Sequence, residues 1–435
     1  MKVLYFHQHF STPDGAGGTR SYEFARALVA RGHRVTLVCG RSDFAGTKKD
    51  KPVSPGAGRR YRVDAFEVIE LPLAYSNYDS LLKRSWIFLR FALRSIVLAW
   101  REDYDLLFAT STPLTTAIPG IAMKLFRRKP FVFEVRDLWP ELPKAMGVVK
   151  NPLVLGAMGL LEWLAYRAAD ACIGLSPGIV EGIKRRSRRG HPVVMIPNGC
   201  DLHLFNPGER RNLRLAGVGP GDIVAVFTGA HGLANGLDAV LDAASVLQKR
   251  MRAEIKFVFI GDGRLKPALR ERAQREKLEN CLFFDPMPKR QLADVLACAD
   301  IGLMILANVP AFYYGTSPNK FFDYLASGLP VLNNYPGWLS ELITTHQCGV
   351  AVAPDNPEAF AEAMERLADN PGLREKMRRN ARALAEADFS RDQLAERFVS
   401  WLEASNQRDQ RSGRWASRQA ALIRTDRPVE PRRTL

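Results

Sequence analysis

The sequence has few cysteines and pairs none of them. Six occur in 435 residues, none in a C-x-x-C arrangement, and no Cys/His cluster has zinc-site spacing. A disulfide scaffold and a structural zinc module are thereby excluded, and buried free thiols in a reducing compartment are the expectation. No run of about 18 uncharged apolar residues occurs, so no membrane-spanning helix is expected. Met1 and Lys2 lead straight into Val3-Leu-Tyr-Phe6, a strand-like start rather than a charged segment before an apolar one, so no secretory leader is expected either. There is no internal repeat of solenoid period. Acidic residues are also scarce: 46 Asp plus Glu face 62 Lys plus Arg, a net charge of +16. A basic balance points to a polyanionic partner, whether nucleic acid, an acidic membrane surface or a phosphate-rich substrate.

What is present is an ordinary enzyme composition, 46% hydrophobic and 25% charged, which excludes a disordered or fibrous chain. The length suits two or three domains and a large core. The charge is uneven. Residues 1–205 carry 30 basic and 18 acidic side chains, net +12; residues 206–405 carry 24 and 25, net −1; residues 406–435 carry 8 and 3, net +5. Two lobes meeting different partners are implied.

The first forty residues read strand, loop, helix, strand. Val3 to His7 is apolar, Asp14-Gly-Ala-Gly17-Gly18-Thr19 is a turn, Tyr22, Phe24, Ala25, Leu28 and Val29 recur at helical spacing, and Arg34 to Val38 is again a strand. Strands are also expected at 105–110, 130–135, 171–175 and 193–196. A second alternation starts at Ile223 and runs through strands at 256–260, 281–284, 301–306 and 330–333, with helices between them and three more closing the chain. The fold class expected is α/β, two facing Rossmann-like domains with parallel sheets and an interdomain cleft. The Pro/Gly/Asn-rich segment after Ile196 marks the join. The expected division is one Rossmann-like domain over 1–200, a second over 201–385, a closing helix over 386–405 that packs back on the first domain, and a basic disordered tail over 406–435. Residues 43–60 read as a polar, mobile loop.

Three segments can carry chemistry. Gly17 and Gly18 sit between the first strand and helix, where backbone amides can approach an anion; a purely structural turn is the alternative. Thr316-Ser317-Pro318-Asn319-Lys320-Phe-Phe-Asp323 reads as a helix start capped by Ser317 or Thr316, with free amides for a diphosphate, Lys320 as a point charge, and Asp323 on the same face to accept ribose hydroxyls. The alternative is an ordinary capped helix with a solvated Lys–Asp pair. Phe131-Val-Phe-Glu134-Val-Arg136-Asp137-Leu-Trp-Pro-Glu141 ends a strand in a charged cluster that is costly to bury, so it should line a cleft, where a carboxylate can act as base or orient an acceptor hydroxyl. A structural Arg–Glu pair is the alternative. His231, after the strand ending at Gly229, is a further catalytic candidate, although a lone His is more often structural.

Several motifs in order now resemble those of glycosyltransferase family 4, with the GT-B fold, over about residues 1–400. They are the Gly-Gly turn, Arg-Gly-His33, Ile-Pro-Asn198-Gly199-Cys-Asp201, Gly-Leu-Asp238, Ile-Gly261-Asp262-Gly263 and Asp323-Tyr-Leu-Ala-Ser-Gly328-Leu-Pro330. Phe-Glu-Val-Arg-Asp-Leu-Trp-Pro-Glu141 and Pro-Asn-Lys320 look like the WbuB-like branch, linked to bacterial surface polysaccharide assembly. The resemblance implies transfer of a sugar from a nucleotide-sugar to an acceptor hydroxyl, with retention at the anomeric carbon and no metal or other cofactor. It implies Gly17 and Gly18 near the donor diphosphate, Asp262 and Gly263 near the base, and Asp323 in place of the second Glu of an E-x7-E motif. The first Glu falls at Gly315, the usual phosphate-binding Arg and Lys fall at Ala230 and Asn235, and Arg136 stands where a His is usual. Lys320, the amides of Ser317 and Asn319, and His231 are the candidates to compensate.

From Lys83 to Arg101 runs a segment in which Lys83, Arg90, Arg94 and Arg101 fall within about 40° on a helical wheel, with Trp86 and Trp100 near its ends. It reads as a helix in the interface of an anionic membrane, as a buried helix whose cations reach an acceptor pyrophosphate in the cleft, or as a plain core helix. The expected partners are a nucleotide-sugar, a sugar or polyprenyl-diphosphate-linked acceptor and an anionic membrane surface, and the expected place is the cytoplasmic face of the membrane. A nucleotide-sugar 2-epimerase and a non-catalytic sugar-binding protein are the competing readings. Nucleic acid is not expected, for no helix-turn-helix, zinc finger or RNP-like motif accompanies the charge.

Overall fold

A computed structural model describes residues 1–42, 58–76, 78–207 and 215–407. Most of the 43–60 loop and of the 406–435 tail lie outside the described residues. The first domain holds β1 (Lys2–Phe6), α1 (Arg20–Ala30), β2 (Arg34–Ser42), β3 (Arg59–Val63), β4 (Phe66–Tyr75), α2 (Leu81–Arg101), β5 (Leu106–Thr110), α3 (Ala117–Arg127), β6 (Phe131–Val135), α4 (Glu141–Ala145), α5 (Pro152–Ala168), β7 (Ala171–Gly174), α6 (Pro177–Arg186) and β8 (Val193–Met195). Its eight-stranded sheet runs β3-β4-β2-β1-β5-β6-β7-β8, parallel except for the β3–β4 hairpin. The central strands β1, β5 and β6 are almost wholly buried, because helices cover both faces.

The second domain holds β9 (Ile223–Thr228), α7 (Asp238–Lys249), β10 (Ile255–Ile260), α8 (Lys266–Arg275), β11 (Cys281–Phe284), α9 (Lys289–Cys298), β12 (Ile301–Met304), α10 (Pro310–Gly315), α11 (Asn319–Ala326), β13 (Val331–Asn333), α12 (Trp338–Thr345), β14 (Gly349–Ala351), α13 (Pro357–Asp369) and α14 (Pro371–Asp388). Its six parallel strands run β11-β10-β9-β12-β13-β14, the dinucleotide-fold order in which ligands bind beyond the strand ends where the order reverses. Those reversal points follow β1 and β5 in one domain and β9 and β12 in the other.

The last helix, α15 (Arg391–Gln407), crosses back to the first domain. Phe398 stacks on Phe24 of α1 at 4.2 Å and meets Phe108 of β5 edge-on at 5.0 Å. The two crossings of the chain run side by side, for Cys200 N donates to Phe389 O and Arg391 N to Cys200 O, at 2.7 and 3.0 Å.

The β3–β4 hairpin is absent from the sequence reading. Its edge strand, Arg59-Arg-Tyr-Arg-Val63, carries three cations and so lacks an apolar signature, which is also what protects such an edge from pairing with other chains.

Candidate active site in the interdomain cleft

Two loops face each other across the cleft at the reversal points. After β1 comes the Asp14–Thr19 turn; its Gly15 carbonyl accepts from the Lys289 amide of α9 at 3.2 Å. Gly18 lies against α11: a β-carbon there would stand 2.7 Å from Asn319 Nδ2. A larger residue there would have to push the Asn319 side-chain amide aside.

Helix α11 starts without a side-chain cap. Pro318 holds the cap position, so neither Ser317 nor Thr316 does what the sequence suggested. Both hydroxyls are engaged elsewhere: Ser317 Oγ accepts from the Asn198 amide at 3.0 Å, and Thr316 Oγ1 donates to Phe312 O. The uncapped end directs unpaired amides and partial positive charge into the cleft, and Asn319 Oδ1 there is buried without a partner. Lys320, one residue on, extends to the end of β9. Its Nζ donates to Asn235 Oδ1 at 2.6 Å and lies 4.0 Å from the Phe227 ring centroid. Burial pulls its ammonium down to about 7.

Asp323 does not share this task. Its carboxylate is buried and accepts from Lys289 Nζ at 2.7 and 2.9 Å. Lys289 also lies 3.9 Å from Asp201, which accepts from Arg391 at 2.7 Å and from Thr19 at 3.0 Å. The solvated Lys320–Asp323 pair is thus replaced by two separate pairings. Asp323 belongs to an internal network that joins both domains.

The loop after β10 lies beneath the loop after β9. Gly261, at φ +149°, is packed so closely that a β-carbon would fall 1.9 Å from Gly229 O. Lys266, buried, ties this region together by donating to Gly261 O, Phe284 O and Asp285 at 2.9, 2.9 and 2.7 Å. Asp262 points toward the other domain and accepts from the Tyr78 hydroxyl at 2.6 Å. Beside Asp262 opens a cavity of about 610 Å³, lined also by Lys266, Pro267, Arg270, Glu271 and Asp285.

In the first domain the charged segment after β6 divides. Glu134 is fully buried and paired with Arg20 of α1 at 2.7 Å; Thr110 also donates to it, at 2.7 Å. This is a structural Arg–Glu pair, formed with Arg20 rather than with Arg136. Asp137 accepts from Thr112 Oγ1 at 3.0 Å, and burial raises its carboxyl, opposed by Thr112 and Arg136. Thr112 itself holds φ +85° at the end of β5, an uncommon conformation for a β-branched residue. Arg136 Nη1 lies 3.3 Å from His7 Nε2.

Two family models cover most of the chain. Residues 15–199 match the glycosyl transferase 4-like domain, and residues 214–384 match glycosyl transferases group 1. The chain belongs to the group 1, family 4-like glycosyltransferases. The O-antigen chain mannosyltransferase C of Escherichia coli is 23% identical over 407 residues, covering 92% of this chain and 97% of that protein. Sucrose-phosphate synthase of Thermosynechococcus elongatus superposes with a TM-score of 0.72 at 17% identity, over 93% of this chain and 98% of the other. Anabaena HepE in complex with UDP-glucose superposes with a TM-score of 0.67 at 16% identity, over 93% and 100%. These likenesses establish the GT-B fold.

Within this glycosyltransferase two catalytic candidates have surroundings that the sequence did not suggest. His231 is fully buried, its ring 6.0 to 6.3 Å from those of Phe227, Phe259 and Phe283, and burial lowers it to about 4. Glu141 is bound to Arg186 at 2.7 Å, and Arg186 also pairs with Glu162. Of the carboxylates after β6, Asp137 alone forms no ion pair among the described residues. Nor do those residues contain a His, Cys, Asp and Glu group placed to hold a metal ion.

Helix α2 is an outer helix, and the buried-helix reading falls. Ile87, Phe91, Ala92, Ser95 and Ala99 face the core. On the opposite side Leu82, Trp86, Leu89, Leu93, Val97 and Trp100 are exposed, within about 80° of arc at 100° per residue. Arg90 and Arg101 are exposed beside this stripe, Arg94 is half-buried, and Lys83 pairs with Asp79 at 2.6 Å.

Sequence reasoning missed His7, His9, Arg84, Tyr78, Lys266 and Lys289. The first two had a readable signal, since they directly follow the strand at whose end the order reverses.

Proposed function

We propose that this glycosyltransferase moves a sugar, with retention, from a nucleotide-sugar to the hydroxyl of a lipid-linked acceptor during assembly of a cell-surface polysaccharide, at an anionic membrane surface. The observation that carries the reading is the uncapped end of α11 with Lys320, facing Gly17 and Gly18 across the cleft. A leaving nucleoside diphosphate needs positive charge where its own charge develops. The α11 amides and Lys320 supply it without an added metal ion. Lys320 Nζ rests on Asn235, where family members carry a cation of their own, so the charge is delivered from a different helix. The relatives support the donor class and the setting: HepE binds UDP-glucose, and the Escherichia coli relative is an O-antigen chain mannosyltransferase. Retention rests on the family resemblance. Asp137 is the carboxylate left to hold the acceptor hydroxyl.

The test is a panel of UDP-, GDP- and dTDP-sugars against thermal unfolding with EDTA present. One of them should raise the midpoint in the wild type and fail to do so in Lys320→Ala. If none protects the wild type, the donor reading falls.

The membrane part rests on a surface wider than α2. Helix α3 packs between α2 and α5. Leu82 (85% exposed), Trp86 (58%), Trp100 (53%), Phe126 of α3 (73%) and Leu153 of α5 (82%) leave large apolar side chains open to solvent, with Arg90, Arg101, Arg127 and Arg128 among them. Unpartnered apolar side chains beside a row of cations suit an interface with anionic headgroups. Among the described residues no helix is long and apolar enough to cross a membrane. Flotation with phosphatidylglycerol vesicles should recover the protein, and Trp86→Glu with Phe126→Glu should leave it in the dense fraction; equal flotation of the double variant would sink this part.

A further inference from the structure

A second cationic site stands on the first-domain side of the cleft. Arg136 follows β6, His7 and His9 follow β1, and Arg84 lies in the first turn of α2. The Arg136 Nη1–His7 Nε2 separation is 3.3 Å. Arg84 lies over Tyr75 at 5.4 Å, and the His9 ring packs on Tyr75 at 4.5 Å and on Phe88 at 6.2 Å. Burial, then the Arg136 and Arg84 guanidinium groups, lower His9 to about 4; burial and Arg136 hold His7 well below the usual imidazole range.

Neither arginine of the cluster is held in an ion pair. No carboxylate among the described residues lies within ion-pair distance of Arg84 or Arg136. The carboxylates that act on Arg136 are engaged elsewhere, Glu134 with Arg20 and Thr110 and Asp137 with Thr112, and Asp79, which acts on Arg84, is bound to Lys83. His7 is 3% exposed with Nδ1 unpartnered, and Arg84 Nε is likewise buried without a partner. Two fixed positive charges beside two neutral imidazoles, with donors left over, form a site built for an anion. This cluster belongs to the other domain, and its contacts include none of Lys320, Asn319, Gly17 and Gly18, on which the donor reading rests.

We propose that Arg84, Arg136, His7 and His9 form a binding subsite for the phosphate or diphosphate group of the acceptor. The proposal rests on the glycosyltransferase reading and names the acceptor's anionic handle. It also explains the placing of α2. Arg84 turns into the cleft from the helix's first turn, while Leu82, Trp86 and Leu89, within two turns, form the exposed apolar stripe. A diphosphate held at Arg84 would therefore have its lipid led out along α2 toward the membrane face.

The test titrates the full chain with farnesyl diphosphate, farnesol and inorganic pyrophosphate, read by calorimetry. Arg84→Ala and Arg136→Ala should each weaken farnesyl diphosphate by about 10- to 100-fold, the loss of one charge-assisted hydrogen bond. Arg84→Lys and Arg136→Lys should restore part of it, which separates a lost charge from a misfolded chain. Lys320→Ala should leave this titration within about twofold while losing protection by the nucleotide-sugar. Pyrophosphate that binds as tightly as farnesyl diphosphate, with the same dependence on both arginines, supports the subsite and assigns it a soluble phosphorylated acceptor; tighter binding of farnesyl diphosphate supports it and assigns the lipid. Farnesyl diphosphate binding that both arginine-to-alanine variants retain, that follows Lys320 instead, or that farnesol matches overturns the proposal. If no nucleotide-sugar protects the wild type but the arginine dependence holds, the donor reading fails and the subsite stands.

Discussion

Lys320→Ala lowers turnover by about two to three orders of magnitude, the range observed when one preorganised donor to a developing anion is removed. Few groups can take its place. The family's cation at residue 235 is an asparagine here, and that asparagine is already the acceptor for Lys320 Nζ at 2.6 Å. The α11 amides remain, so activity falls without vanishing. The pH profile gives a second, independent reading. Burial lowers the Lys320 ammonium to about 7 in the free protein, so below that pH it is charged and above it neutral. The donor kcat/KM should therefore decline as pH rises through about 7. Lys320→Arg keeps its charge at every accessible pH, so this decline should disappear even if the absolute rate is reduced. Unchanged turnover in Lys320→Ala, measured at saturating donor and acceptor, removes Lys320 from the phosphate site.

Arg20→Ala should destabilise the protein by about 3–5 kcal/mol, the usual cost of breaking a buried ion pair from one side. Glu134 would be left fully buried, with Thr110 its one remaining side-chain donor. The carbonyls of Ile196 and Pro197, which Arg20 also serves, would lose a donor at the start of the interdomain linker. Urea unfolding is the measurement, with the midpoint falling at an unchanged slope. An apolar replacement of both partners, Arg20→Met with Glu134→Leu, should recover part of the loss but not all, because the two linker carbonyls stay unpaired. A single variant within about 0.5 kcal/mol of wild type would show that the pair carries no such weight.

Much of the architecture was legible because alternating short apolar runs and amphipathic helices recur at the spacing of a parallel sheet. The start of α11 was legible too, since Pro318 marks it, although the expected Ser317 or Thr316 cap is not made. What it joins was not. Asp323 meets Lys289, and Asp201 meets Arg391 across 190 positions of chain; no local pattern states such partners. His231 misled for the opposite reason. Its place at a strand end suggested the cleft, but the three phenylalanines that enclose its ring come from β9, β10 and β11, and only the packed sheet brings them together. Arg84 was passed over because it lies off the basic row of α2, at the angle that turns it toward the cleft.

The return of α15 to the first domain has a consequence for how the molecule is made. Phe24 and Phe108 of the first 110 residues acquire their partner Phe398 only after the whole second domain has been synthesised. During translation the first domain emerges with that face of its core uncovered. It must wait as an unfinished, sticky intermediate while the second domain is made. A fragment of residues 1–200 should consequently aggregate when expressed alone. The same fragment supplied with a peptide of residues 386–407 should stay dispersed, as two pieces of one core that ordinary synthesis delivers at opposite ends of the message.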